Sequence, residues 1–281
     1  MQIFKTIENM RAASHATRKA GKRVGFVPTM GALHKGHLSL VQAAKAQCDV
    51  VAASIFVNPT QFGPNEDFSK YPRTFERDCE LFTKEGVELL FAPALEEMYP
   101  AGAVTYVTVE GMSERLCGKS RPGHFRGVTT VVSKLFNIVE PDVAFFGQKD
   151  AAQVAIIRRM VRDLNIPVEI TACPIVREAD GLAMSSRNTY LDPAQRKAAL
   201  VLHRALQEVQ RKFESGERNA SKLIEHGRRV FTLEPSARLD YLEIVDTESL
   251  DALEKISGAA LVAVAAYLGN TRLIDNFVLH A

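Results

Sequence analysis

The chain has 281 residues, with 35 Lys and Arg against 33 Asp and Glu and a formal net charge of +2. That length can bury a large core and hold one large unit plus a smaller one, while the charge balance gives no broad basic surface for nucleic acid. The four cysteines, Cys48, Cys79, Cys117 and Cys173, are scattered without a CxxC pair, which suits reduced thiols rather than a disulfide framework. Polar residues interrupt every apolar stretch before the roughly 20 residues that span a bilayer. Met1 to His15 also lacks the apolar centre of a signal peptide. A cytoplasmic protein with no membrane partner is expected.

The first predicted strand is Val24 to Val27, followed by a glycine-bearing loop and a helix from about His37 to Gln47. Val50 to Val57 reads as a second strand, Thr74 to Glu85 as a helix closed by Gly86, and Val87 to Ala92 as a third strand. An alternating strand follows at Val104 to Val109. Val128 to Val139 then reads as a helix stopped before Pro141, Val143 to Phe146 as a buried strand, Ala151 to Leu164 as a helix and Val168 to Ile175 as a strand. Continuous apolar strands alternating with helices predict a Rossmann-like, doubly wound parallel sheet covered on both faces. Ligands in such sheets sit beyond the carboxyl ends of the strands, so the loops after Val27, Val57 and Phe146 are the places to search.

Past the loop Arg177 to Asn188 the texture changes. A long amphipathic helix follows Pro193, another spans Ala220 to Phe231, and strands are expected at Leu239 to Val245, Ala260 to Tyr267 and Leu273 to Leu279. Strand following strand predicts a smaller α+β domain. The expected division is residues 1–175 and 176–281.

The strongest local feature is Pro28-Thr29-Met30-Gly31-Ala32-Leu33-His34-Lys35-Gly36-His37, between a buried strand and the helix it feeds. Free amides at that helix start are expected to favour phosphate. It is neither a Walker loop nor a dinucleotide fingerprint. Gly36 permits close approach, and two imidazoles can offer donors to a leaving pyrophosphate or give a proton near neutral pH. A zinc site lacks a third ligand at a recognisable spacing.

Three more loops carry candidates. Asn58 to Asp67 consists mostly of turn formers, but the Gln61 amide can donate and accept toward a hydroxylated carboxylate. Phe145-Phe146-Gly147-Gln148-Lys149-Asp150 leaves a buried strand on the binding face, with Gln153 one helical turn on, and Lys149 is placed for a phosphate. In Asp180 to Asn188, Ser185, Ser186 and Arg187 can grip a triphosphate. Arg121, His124 and Arg126 form a further basic loop over an anionic substrate. Arg73 and Asp78, near Tyr71, are weaker candidates, Asp78 as a metal ligand.

Taken together, Pro28 to His37, Asn58 to Asp67 with Tyr71-Pro72-Arg73, Gly123 to Val128, Phe146 to Asp150 and Asp180 to Leu191 resemble the pantoate-β-alanine ligase (pantothenate synthetase) family. That family lies in the nucleotidyltransferase superfamily marked by an HxGH loop. The resemblance implies condensation of (R)-pantoate with β-alanine through a pantoyl adenylate, with ATP converted to AMP and pyrophosphate and Mg2+ on the phosphates. It implies ATP contacts from Met30 to His37, Gly147, Gln148, Lys149, Asp150, Val176 and Met184 to Arg187. Gln61 would bind pantoate and lie near β-alanine, and Gln153 would bind pantoate. His37 would give a proton, with His34, Lys149 and Arg187 sharing the phosphate charge. A homodimer with a mobile second domain acting as a lid is also implied. The alternatives are another HxGH nucleotidyltransferase making a nucleotide product, or a nucleotide-sensing module without turnover.

Overall fold

A computed structural model of the protein describes residues 1–64 and 66–281; Asn65, inside the Asn58 to Asp67 cluster, lies outside the described residues. In chain order the elements are β1 (Gln2–Phe4), α1 (Ile7–Lys19), β2 (Val24–Thr29), α2 (Lys35–Gln47), β3 (Val50–Ile55), α3 (Phe75–Glu85), β4 (Leu89–Phe91) and α4 (Leu95–Met98). There follow α5 (Cys117–Ser120), α6 (His124–Val139), β5 (Val143–Gly147), α7 (Ala151–Asp163) and β6 (Glu169–Cys173). The chain ends with α8 (Pro193–Ala198), α9 (Leu200–Glu214), α10 (Ala220–Phe231), β7 (Ala237–Asp246), β8 (Ala259–Leu268) and β9 (Thr271–His280). None of the described helices is long and apolar enough to cross a membrane.

The first six strands form one sheet in the order β1-β4-β3-β2-β5-β6, and every pairing is parallel. The order reverses beside β2, so the loops leaving β2 and β5 open onto the crevice where doubly wound sheets bind ligands. Local chemistry sets the boundaries. Thr74 precedes α3, and Gly86 ends it at φ +88°, a left-handed C-cap that glycine adopts without strain. Gly127 is demanded by packing. A Cβ there would lie 2.3 Å from the Thr60 carbonyl oxygen and 2.6 Å from Gln61 Cα, so α6 can press on the Pro59–Gln61 turn only without a side chain at that point.

Strands β7, β8 and β9 form an antiparallel meander. One face, through residues such as Leu242, Val262 and Leu279, packs with α9 and α10. The other, through Tyr241, Val245, Leu261, Ala263 and Ala265, joins the same apolar cluster as α6, α7 and the parallel sheet. The second sheet is therefore buried on both sides.

The structure differs from expectation in three places. Strand β1 and helix α1 precede the first predicted element. The helix expected after Pro193 is two, divided at Ala199. Val104 to Val109 is not a strand: the Val107 N–H donates to Thr130 Oγ1 and its carbonyl accepts from Thr129 Oγ1. Hydroxyls on α6 thus satisfy a backbone that alternation alone assigns to a sheet.

Candidate active site

The loop from β2 to α2 is built by turning its own amides inward. Gly31 at φ +79° and Ala32 at φ +51° are consecutive left-handed residues, a curvature that gathers successive N–H groups into an anion-binding nest. Its anion is internal. Ala32 N–H donates to Asp78 Oδ2 at 2.8 Å and Leu33 N–H to Asp78 Oδ1 at 2.9 Å, while Thr74 Oγ1 donates to Oδ2 at 3.1 Å. Asp78 is wholly buried. This corrects two expectations: the amides of Ala32 and Leu33, expected among the ATP contacts, are engaged by Asp78, and Asp78 is a loop anchor whose oxygens are already engaged rather than a metal ligand. Asp78→Ala leaves the Ala32 and Leu33 amides and the Thr74 hydroxyl without this partner, so a loss of about 2–4 kcal/mol is expected in urea unfolding. Unchanged stability would remove Asp78 as the anchor of the loop.

The imidazoles take over from the amides. His34 is the N-cap of α2, and its Nδ1 accepts from Gly36 N–H at 3.1 Å; His37 Nδ1 accepts from His34 N–H at 3.3 Å. With Nδ1 accepting, each neutral ring carries its proton on Nε2. The ring centroids are 4.0 Å apart. A Cβ on residue 36 would lie 2.9 Å from His34 Nδ1 and Cε1, which is why glycine separates the two. Burial, then the charge of Lys149, lowers His34 to about 4. Burial, then His34 and Lys149, lowers His37 to about 3. Both rings are therefore neutral Nε2–H donors at neutral pH.

That fixes a pH dependence. An unfolded histidine titrates near 6.5, so between pH 6.5 and about 4 or 3 the unfolded chain binds more protons than the folded one. The stabilising preference for neutral rings is present above pH 6.5 and is lost as pH falls through that window. From pH 7 to pH 5 each ring removes at most about 2 kcal/mol. Urea unfolding at the two pH values should show this loss, reduced by about a third in His37→Asn because His124 is lowered to about 4 as well.

His34, His37 and Lys149 line a cavity of about 230 Å³, as do Met30, Gly36, Gln61, Gly147, Asp150, Gln153, Val176 and Met184 to Arg187. One side of it is apolar, formed by Val128, Val131, Val132 and Leu135 of α6. Five predicted contacts do not line it. Gly31, Ala32 and Leu33 serve the Asp78 nest, with the Leu33 side chain in the core. Lys35 is exposed to solvent, and Gln148 bonds to Asn276 at 3.3 Å.

Arg187 and Arg121, both expected to meet substrate anions, are held by carboxylates of the loop after β3. Arg187 makes a two-bond pair with Asp67 at 3.0 and 2.9 Å, and Arg121 another with Glu66 at 2.6 Å in both contacts. Burial raises Glu66 and Asp67, but the arginine hydrogen bonds and charges outweigh it and leave both below the usual carboxylate range. His124 donates from Nδ1 to the Gln61 carbonyl at 2.8 Å and accepts at Nε2 from Arg121; burial, then Arg121, lowers it to about 4. It braces Gln61. Arg126 instead lies over the Tyr106 ring at 4.7 Å, and Arg73 bonds the carbonyls of Tyr71 and Phe68.

Sequence reasoning undervalues Asn58. It is buried, its amide donates to Gln61 Oε1 and the Gly127 carbonyl, both at 3.1 Å, and its oxygen accepts from Tyr99 at 2.9 Å. Locally it looks like a turn former. Only the distant Tyr99 and Gly127 reveal that it sets the Gln61 amide. No group of three His, Cys, Asp or Glu side chains among the described residues could hold a metal.

A family profile described as "Pantoate-beta-alanine ligase" matches residues 2–278. A pantothenate synthetase of Koribacter versatilis is 60% identical over 281 residues, covering 100% of this chain and 97% of the relative. One from Moorella thermoacetica is 60% identical over 279 residues, covering 99% of each. The crystal structure of a pantothenate synthetase from Thermus thermophilus superposes with a TM-score of 0.93 at 48% identity, covering 99% of each chain. A Francisella tularensis pantoate-beta-alanine ligase, complexed with beta-gamma ATP and beta-alanine, does so with 0.80 at 35% identity, covering 99% of this chain and 97% of the other.

Proposed function

The chain belongs to the pantoate-beta-alanine ligase family, and from that premise we propose that it joins (R)-pantoate to β-alanine through a pantoyl adenylate, releasing AMP and pyrophosphate. The observation that carries this reading is one cavity in which two neutral imidazoles and Lys149 stand with the amides of Gln61 and Gln153 beside the apolar face of α6. A polyphosphate needs the first set. A small carboxylate with two hydroxyls and a dimethyl carbon needs the second.

Attack of the pantoate carboxylate on the α-phosphate forms the acyl–oxygen to phosphorus bond and breaks the bond to pyrophosphate. It requires in-line placement and offset of growing negative charge rather than a protein nucleophile. His34 and His37 donate from Nε2 to phosphate oxygens, already oriented by their Nδ1 contacts. This gives His37 hydrogen-bond donation in place of the proton transfer that resemblance suggests. Lys149 supplies charge, and Arg187 follows by exchanging Asp67 for phosphate. Gln61 and Gln153 recognise pantoate without placing an anion against its carboxylate. The amine of β-alanine then attacks the adenylate carbonyl and expels AMP.

Magnesium fits as an ion carried on the phosphates, with Asp150 the only carboxylate among the described residues that line the cavity; it would neutralise phosphate charge there. Residues 176–281 act as the cover that keeps water from the adenylate. The working form is a cytoplasmic homodimer.

The test is incubation with ATP, Mg2+ and pantoate, scoring pyrophosphate exchange before β-alanine is added and AMP with pantothenate afterwards. Exchange that ignores pantoate, or responds to phosphopantetheine instead, would overturn the substrate assignment. A cavity that binds ATP without any exchange would make the protein a nucleotide sensor.

A further inference from the structure

Among the described residues strand β9 pairs only with β8, and its alternation places Ile274, Asn276 and Val278 on one face. Ile274 and Val278 pack against the large apolar cluster. Asn276 sits between them with 3% of its surface exposed. An amide in such a place is costly unless fully hydrogen-bonded, and an apolar side chain would serve simple docking better. Its partners explain it. Nδ2 donates to the Gln148 carbonyl at 3.0 Å and to the Lys149 carbonyl at 2.8 Å, and Oδ1 accepts from Gln148 Nε2 at 3.3 Å. All three contacts fall on the Gln148–Asp150 turn that presents Lys149.

The preceding residue holds the opposite wall in the same way. Asp275, buried, takes a two-bond contact from Arg177 at 2.6 and 2.9 Å, and Arg177 also donates to the Gly181 carbonyl at 3.0 Å. Arg177 bridges Ala183, and the Met184 N–H donates to the Val176 carbonyl at 3.0 Å. That hairpin leads directly into Met184 to Arg187. Two adjacent residues of the last strand therefore clamp the two loops that border the cavity, from outside the sheet that carries the histidines.

We propose that Asn276 is a positioning residue for Lys149, fixing the turn from which the lysine reaches phosphate, so that the second unit sets phosphate-binding geometry in the first. The inference rests on the reading of Lys149 as a phosphate contact.

A double-mutant cycle tests it. Pantoate-dependent ATP–pyrophosphate exchange is measured for the full chain, for Asn276→Ala, for Lys149→Ala and for the pair. If Asn276 acts through Lys149, Asn276→Ala lowers kcat about tenfold or more in the native background, with KM for pantoate within about twofold, and less than about twofold once Lys149 is gone. Equal losses in both backgrounds, or no loss in the first, overturn the proposal. If Asn276→Ala does not fold, Asn276→Ser, which keeps a donor, carries the same cycle; failure of both to fold assigns Asn276 to stability alone and also overturns it. Full exchange by Lys149→Ala alone would instead remove the reading of Lys149 beneath it. No pantoate-dependent exchange by the unaltered chain would remove the reading of the reaction. Those two results are distinct from a failure at Asn276.

Discussion

His37→Ala is expected to lower pantoate-dependent pyrophosphate exchange about a hundredfold or more, with the protein still folded. The ring contributes twice. Its Nε2–H is a donor already aimed by the contact of Nδ1 with the His34 amide, and that same contact helps hold the N-cap carrying the neighbouring imidazole. Deleting it removes one of the two proposed phosphate donors and loosens the other. Because burial and neighbouring charges keep His37 near 3, the unaltered enzyme's kcat should be flat between pH 6 and 8 as far as these rings are concerned. An acid or base limb there that vanishes in His37→Ala would return the residue to proton transfer. Exchange within about threefold of normal would remove it from the chemistry.

Lys149→Ala is expected to be comparably severe, again about a hundredfold in exchange, with KM for pantoate little changed. The reason is how the cavity's cations are held. Arg187 is paired through two bonds with Asp67 and Arg121 through two with Glu66, whereas Lys149 Nζ stands 3.7 Å from its carboxylate neighbour Asp150. The lysine is the cation most ready to meet phosphate, so Arg187→Ala should cost less, about tenfold. Reversal of that order would mean that the Asp67 pair opens readily and the arginine carries the charge.

Much of the fold follows from local pattern. Apolar runs at Val24, Val50 and Val143 are strands of the parallel sheet because burial on both faces leaves no reason to alternate. Gly86 ends α3 in the left-handed C-cap that glycine favours, whereas Thr74 at its start makes no side-chain cap and bonds Asp78 instead. The start of the chain is less legible: β1 has only three residues, and α1 buries only Met10 and Ser14. Val104 to Val109 misleads because alternation records which faces are wet, and the hydroxyls that capture its backbone lie on a helix some twenty residues later.

The site divides along the same line. The residues proposed to meet the ligand come in short runs with recognisable chemistry, as His34 and His37 do. Residues that aim them do not. Asn58 looks like a turn former, Asp78 like one more helical acid, and Asn276 like any polar position on a strand; each gets its role from a partner at least twenty residues away in sequence. The amides of Ala32 and Leu33 invite assignment to phosphate because nothing near them in sequence announces Asp78.

The second sheet, covered on one face by α9 and α10 and on the other by the core it shares with α6, α7 and the parallel sheet, makes the chain poor material for modular exchange. A fragment ending near residue 175 would bare the apolar surface against which Tyr241, Leu261 and Ala265 now rest. A graft of a foreign carboxyl-terminal half would have to reproduce that surface as well as any chemistry. Drift in one half is thereby answerable to the other, and the two halves are expected to be inherited together rather than shuffled.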